Sequence, residues 1–308
     1  MARYAAIDVG TNTVLLVVAE RTPAGFTPVA ERGEITRLGK GVDASRRLAP
    51  EAIERTLDTV GRYAAEARAL GAVDLAVTAT SAARDASNGK EFLEAARRRA
   101  GVEVEILSGE EEARRSYLAV ATDFAAEAGT RPLVAIDIGG GSTEFIIGHG
   151  RGVEFHTSID VGSVRLTERC IRSDPPSPQD FARLEAELTR ALAPVPRPGT
   201  DALVVGVAGT LTTLYAVTQG IEPYDAARVH GGWMSRQDVA RTRQRLAALP
   251  LAERKRVPGL HPERADVIVA GAVLLEHALD HLGATGTRVS DRGLRWGTLA
   301  ARFGGGRE

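Results

Sequence analysis

AIDIGGGSTEFIIG, residues 135–148, is the stretch from which the rest of the chain is read. An apolar run reaches an Asp, turns through three consecutive glycines followed by Ser and Thr, and resumes as a second apolar run. A strand ending this way presents several backbone N–H groups at the tip of a tight turn, and such a concavity binds oxyanions without a charged side chain. Gly139, Gly140 and Gly141 let the backbone come close to a phosphate, and Ser142 and Thr143 add hydroxyl donors. Asp137 beside the turn suits Mg²⁺, which takes one or two carboxylates, waters and the substrate's own phosphate oxygens.

The same pattern heads the chain. In AAIDVGTNTVLLVVAE, residues 5–20, the run Ala6-Ile-Asp-Val-Gly10 matches Ala135-Ile-Asp-Ile-Gly139 in type at every position. Thr11, Asn12 and Thr13 then stand where Gly140, Gly141 and Ser142 stand, and an apolar strand follows in both. Either segment alone reads equally as a plain hairpin with turn residues. Two of them, each heading a half of similar length with Asp in register, indicate a duplicated domain. Two such loops facing each other would cradle a row of phosphates, with Asp8 on the metal side. We place the boundary near residues 124–130, giving domains 1–125 and 126–308, with the last helix able to pack back on the first.

Strand-like and helix-like segments alternate elsewhere. Residues 50–71 read as a helix with a Gly near its C-cap, 73–84 as a strand entering a loop, 88–101 as a helix, 102–107 as a strand and 108–129 as a long helix. Pro-rich loops at 173–179 and 193–199 flank one further helix. The pattern predicts an α/β protein with mixed sheets.

Composition narrows the function classes. Across 308 residues, 40 acids against 39 bases leave a net charge of −1, so attraction to a polyanion must come from locally placed cations. Lys40, Lys90 and Lys255 are the only lysines, and Arg, which suits bidentate phosphate recognition, carries the remaining positive charge. GC-rich coding produces the same bias. The single Cys170 excludes an internal disulfide framework and a thiolate cluster, and reads as a small buried hydrophobe in a reducing compartment. Asp8 interrupts the first apolar run, and no apolar stretch approaches the ~18 residues of a membrane span, so a soluble, cytoplasmic protein is expected. No G-x-x-x-x-G-K-[ST], G-x-G-x-x-G entering a helix, or H-E-x-x-H occurs, which argues against P-loop, dinucleotide and zinc-hydrolase chemistry.

Other residues fit anion chemistry but also have structural explanations. Ser108 with Glu111 three residues on forms a capping pair, and Glu110 and Glu111 suit the positive end of a helix. Glu112 lies one position further, among small neighbours, where it could serve as a general base toward water. Arg84 follows a strand, where a guanidinium either clamps phosphate or pairs on the surface. Gly209 and Thr210, in GVAGTLTTL, open a helix at either an anion site or a tight αβ junction. The run Arg97 to Arg99 reads as a solvated helix face or the lining of a polyanion groove. Arg264 and Asp266 start a largely apolar helix.

Taken in order, AAIDVGTNTVLLVVA, ITRLGKGVD, TATSAARDASNG, ILSGEEEAR, IDIGGGSTEFIIG, GSVRLTE, GVAGTLTTL, ERADVIVAGA and VSDRGLRWG resemble the exopolyphosphatase/guanosine-pentaphosphate phosphohydrolase (Ppx/GppA) family of the actin-like superfamily. The resemblance implies two duplicated actin-like, ribonuclease-H-like domains with an active site in the interdomain cleft. It assigns Glu112 as catalytic base and Asp137 as Mg²⁺ ligand, with Mn²⁺ as the other candidate metal. Gly139, Gly140, Gly141 and Ser142 become the phosphate loop, Asp8, Thr11, Asn12 and Thr13 the opposite loop, and Arg84 the phosphate-binding arginine. It also suggests a homodimer. Two departures stand out: long members carry a further helical region, whose lack here favours short polyphosphate, and Trp296 replaces the acidic residue usual in GLR-x-G. The expected activity is release of orthophosphate from the end of inorganic polyphosphate. The alternatives are conversion of guanosine pentaphosphate to tetraphosphate, a non-catalytic sensor of polyphosphate or alarmone, and a kinase of the same superfamily.

Overall fold

In the computed structural model, which describes residues 1–199 and 201–305, the opening apolar runs form the centre of a sheet. Thr200 and residues 306–308, where the second expected domain ends, lie outside the described residues. β1 (Arg3–Val9) pairs antiparallel with β2 (Thr13–Thr22), which pairs antiparallel with β3 (Gly25–Ile35). On its other side β1 runs parallel to β4 (Ala72–Ala79), and β4 to β5 (Glu105–Ile106), giving the order β3-β2-β1-β4-β5. The segment expected as a strand over 102–107 pairs only through Glu105 and Ile106, opposite the last two residues of β4.

The first unit also holds α1 (Val42–Ser45), α2 (Pro50–Ala69), α3 (Ser81–Asp85), α4 (Gly89–Ala100) and the start of α5 (Gly109–Ala128). β1, apart from Asp8 near its end, and the first seven residues of β2 are largely apolar because both faces are covered. Ala5, Ile7, Val9, Leu16 and Val18 pack with Leu57, Val60 and Tyr63 of α2 and Phe92 of α4, while Ala6, Val17 and Ala19 pack on the opposite side with Ala119 of α5.

The second unit repeats the plan. β6 (Leu133–Ile138), β7 (Thr143–His149) and β8 (Gly152–Ile159) are antiparallel neighbours, and β6 runs parallel to β9 (Leu203–Val207). β10 (Gly232–Ser235) and β11 (Gly286–Val289) extend that side, so the order is β10-β11-β9-β6-β7-β8. The series β3-β2-β1-β4 therefore recurs as β8-β7-β6-β9, the duplication that the two Asp-x-Gly turns indicate. Around this sheet lie α6 (Ser163–Cys170), α7 (Pro178–Leu192), α8 (Ala208–Gln219), α9 (Ala226–Val229), α10 (Arg236–Ala247), α11 (Leu251–Arg254) and α12 (Ile268–Leu282). The apolar α12 is core: Val269, Ala272, Leu275 and Leu279 pack with strand and helix residues such as Ile136, Phe145 and Leu214.

By contacts the chain divides into Met1–Ala119 with the segment from Leu294 onward, and Val120–Gly293, the division falling inside α5. The returning segment is α13 (Leu294–Phe303). It accounts for Trp296: the indole N–H donates to Glu31 Oε2 (3.2 Å), the same oxygen that Arg295 Nη2 reaches at 2.5 Å, and the ring joins Ala6, Val17 and Leu299. No helix among the described residues is long and apolar enough to cross a membrane.

The Pro-rich loop before α7 is held by one buried carboxylate. Asp180 accepts from Ser173 Oγ (2.5 Å), Ser177 N (2.8 Å), Ser177 Oγ (3.0 Å), Arg172 N (2.9 Å) and the Arg183 guanidinium. Burial alone would raise its pKa, but these donors outweigh that and hold the carboxyl well below the usual range. A folded pKa below the unfolded value of about 3.9 means the stabilisation is complete above that pH and is lost as the pH falls beneath it. Replacement Asp180→Ala is expected to cost about 3 kcal/mol at pH 7. In denaturant titrations the gap between the native protein and Asp180→Asn should shrink below pH ~4; a gap constant from pH 7 to 3 would contradict this.

Candidate functional site

Each unit carries one of the two turns, closed by the same bond. Gly10 N donates to Thr13 O (3.0 Å) in the first, and Gly139 N donates to Ser142 O (3.1 Å) in the second. The flanking pairs Val9↔Val14 and Ile138↔Thr143 correspond, so the sequence match extends to backbone geometry.

In the first unit Asp8 sits on β1 between Leu15 of β2 and Thr78 of β4, two residues before the turn. Thr11 is buried, its hydroxyl bonded to Ser81 Oγ (2.8 Å) at the start of α3, and its carbonyl accepts from Gly39 N (2.8 Å). Asn12 O accepts from Thr36 N and Arg37 N, each at 3.0 Å. The turn is thus braced from both sides, with Asn12 and Thr13 partly exposed beside it. Thr11, read as a ligand donor, has its hydroxyl engaged by Ser81.

Arg84 is helical, lying in α3 rather than in a loop. Its Nη1 donates to Leu107 O (2.8 Å) and to Glu112 Oε2 (3.1 Å). Glu112 is 7% exposed in the first turn of α5, where the helix N-terminus favours a negative charge. The two residues that the sequence singled out separately are therefore one ion pair, which fixes the carboxylate's orientation. Ser108 Oγ accepts from Glu111 N (3.1 Å), and the Glu111 carboxylate reaches Arg115 Nε (3.3 Å).

In the second unit the loop carbonyls are occupied by α6. Gly139 O accepts from Ser163 N (3.0 Å), Gly140 O from Val164 N (2.9 Å) and Arg165 N (3.0 Å), and Gly141 O from Arg165 Nε (2.7 Å). An anion-binding turn needs this, because it directs away the oxygens that would repel a phosphate. Ser142 is buried in the turn, whereas the Thr143 hydroxyl donates to Val161 O (2.6 Å) and so departs from the ligand role read from sequence. Gly162, the N-cap of α6, is in close contact: a Cβ there would lie 2.5 Å from Gly140 C and O and 2.7 Å from Gly141 N. Replacement Gly162→Ala must push the loop aside, and misplacement of about 1 Å can cost roughly 10²-fold in rate. Turnover of this variant should fall by that order with an unchanged circular dichroism spectrum; turnover within about twofold of the native protein would contradict it.

Asp137 is 7% exposed on β6 and faces Glu144 on β7 as a directly opposed pair, which puts both carboxylates on one face of the sheet. Glu144 is 1% exposed and its Oε1 accepts from Ser158 Oγ (2.7 Å). Sequence reasoning passed over Glu144, although its place two residues after Ser142 mirrors that of Asp137 two before Gly139. Among the described residues no cluster of three or more His, Cys, Asp and Glu side chains could hold a metal. Two carboxylates beside this glycine turn fit the donor set of Mg²⁺, which takes one or two carboxylates and draws its other ligands from water and phosphate.

Gly209 and Thr210 lie in the first turn of α8, after Ala208, whose φ of 69° is a left-handed conformation unusual for a residue with a Cβ. The Arg264 guanidinium lies against Gly209 so closely that a Cβ there would collide with it. Desolvation lowers the Arg264 pKa from its ordinary value. A cation at a helix N-terminus is the composition of an anion site. No local sequence signal pairs residues 209 and 264.

The sequence model of the Ppx/GppA phosphatase family matches residues 17–303. Exopolyphosphatase 2 of Mycobacterium tuberculosis is 38% identical over 289 residues, covering 90% of this chain and 89% of that protein. The crystal structure of the Aquifex aeolicus member of the Ppx/GppA protein family superposes with a TM-score of 0.82 at 34% identity, covering 97% of each chain. That of an exopolyphosphatase from Cytophaga hutchinsonii gives 0.90 at 27% identity, covering 99% of each. The actin-like fold expected from the sequence is the fold observed, two mixed sheets flanked by helices.

Proposed function

Because the chain belongs to the Ppx/GppA phosphatase family, we propose that it is an exopolyphosphatase releasing orthophosphate from the end of short inorganic polyphosphate. The observation that carries this reading is the repeated Asp-x-Gly turn, closed by the same backbone bond in both units and, in the second, stripped of competing carbonyls by α6. A polyphosphate chain offers only repeated oxyanions, and backbone N–H groups with arginines match that chemistry.

In the proposed reaction Glu112 accepts a proton from a water as the water oxygen bonds to the terminal phosphorus. The bridging P–O bond breaks, and its electrons remain on the shortened chain. Arg84 holds Glu112 in place through the bond to Oε2. The N–H groups of Gly140 and Gly141, with Ser142, bind phosphoryl oxygens, and Arg264 at the start of α8 adds positive charge. Asp137, with Glu144 beside it, would hold Mg²⁺, which supplies charge against the phosphoryl oxygens.

Side-by-side phosphate release from short polyphosphate, long polyphosphate, guanosine pentaphosphate and ATP, with and without Mg²⁺, tests the reading. The expected order places short polyphosphate first, with release abolished by chelation. Faster release from guanosine pentaphosphate would move the activity to the alarmone, and release from none would favour a sensor.

A further inference from the structure

Arg254 is 3% exposed at the end of α11, and its donors all point inward. Nε donates to Leu246 O (2.9 Å), Nη2 to Leu249 O (2.7 Å) and to Asp174 Oδ1 (3.2 Å), and Nη1 to Ala265 O (2.9 Å). The first two carbonyls belong to the end of α10 and the residues after it, where a cation offsets the negative helix end. The bond to Ala265 does something else. Ala265 directly follows Arg264, in the turn between the short 3₁₀ segment Pro262–Arg264 and α12. That turn has its own frame, with Arg264 N donating to His261 O (2.8 Å) and Val267 N to Arg264 O (3.1 Å). Arg254 fastens this frame to α11.

The grip continues behind Arg254. Asp174 also accepts from Leu251 N (2.7 Å), so one carboxylate ties the first residue of α11 to its last. Asp174 lies in the Pro-rich loop whose shape Asp180 maintains through Ser173 and Ser177. Named bonds thus run from Asp180 through Asp174 and Arg254 to the backbone beside Arg264, whose guanidinium rests on Gly209.

We infer that Arg254 is a positioning residue for phosphate binding: by holding the carbonyl of Ala265 it sets where the Arg264 guanidinium stands at the N-terminus of α8. The inference rests on the reading of Arg264 as a phosphate-binding group. Lysine at 254 keeps the charge but cannot present a planar fork to four acceptors at once.

The test is a double-mutant cycle in the full chain, using Arg254→Lys, Arg264→Ala and the double variant, with steady-state release from tripolyphosphate and thermal midpoints. Arg264→Ala is expected to raise KM about tenfold, the usual effect of removing one charge-assisted phosphate contact. Arg254→Lys should raise KM about threefold to tenfold with kcat changed less than about twofold, and should add less than about twofold once Arg264 is gone. Asp174→Asn, at a half-exposed position, should move KM in the same direction by a smaller factor and serves if Arg254→Lys does not fold. The same KM factor for Arg254→Lys in both backgrounds, or a lower thermal midpoint with KM unchanged, would overturn the inference and leave Arg254 a helix-end brace. Unchanged KM in Arg264→Ala would overturn instead the assignment of Arg264 on which the inference stands.

Discussion

Glu112→Gln is expected to lower phosphate release by about 10³-fold while leaving tripolyphosphate affinity within about threefold, the loss a positioned general base supplies. The substitution is chosen for its geometry. Gln has the shape of Glu, and its carbonyl oxygen can still accept from Arg84 Nη1, which lies 3.1 Å from Oε2 in the native protein. The contact between α3 and α5 therefore survives, and Arg84 keeps its second bond to Leu107 O. What disappears is an oxygen able to take a proton from water. Release and calorimetric binding should therefore separate: binding persists and turnover does not. Turnover within about tenfold of the native protein would remove Glu112 from the proton transfer.

The second large effect is expected at Asp137. Replacement Asp137→Asn removes one negative charge from a carboxylate pair on one face of β6 and β7 and changes little in volume. A cation held by two carboxylates loses much of its attraction when one becomes an amide. Release at fixed Mg²⁺ should fall about 10²-fold, and the Mg²⁺ concentration giving half-maximal rate should rise at least about tenfold. Glu144→Gln should shift the same curve in the same direction. An unchanged Mg²⁺ requirement in both variants would place the cation elsewhere.

How far the sequence could be read differs between the backbone and the side chains. The duplication was legible because the turn chemistry is local: A-I-D-V-G and A-I-D-I-G each need a Gly whose N–H closes a four-residue turn, and both do so through the same bond. The order β3-β2-β1-β4, repeated as β8-β7-β6-β9, follows from that shared start. Residues 102–107 illustrate the limit, since alternating apolar residues there form only a two-residue strand at the sheet's edge.

Side-chain partnerships were less legible because they join distant positions. Nothing near Arg84 announces that Glu112 accepts its hydrogen bond, or that α3 carries it. Trp296 looked anomalous until Glu31 on β3 supplied the indole with an acceptor. Thr143 looked like a ligand donor, but its hydroxyl goes to the carbonyl of Val161, in the segment that packs against the loop. Glu144 was within reach of sequence reasoning, since a four-residue turn puts the residue two before it and the residue two after it on one face. Arg264 and Arg254 were not, because the residues they serve lie in other segments of the chain.

The most direct test of the central claim is to follow tripolyphosphate by ³¹P NMR in the presence of the full chain and Mg²⁺. An exopolyphosphatase removes a terminal phosphate, so the internal resonance disappears as the internal phosphorus becomes part of pyrophosphate, and orthophosphate and pyrophosphate form in equal molar amounts; Glu112→Gln under the same conditions leaves the spectrum unchanged. A native-protein spectrum that stays that of tripolyphosphate, or a Glu112→Gln sample that degrades it at the native rate, would contradict the account.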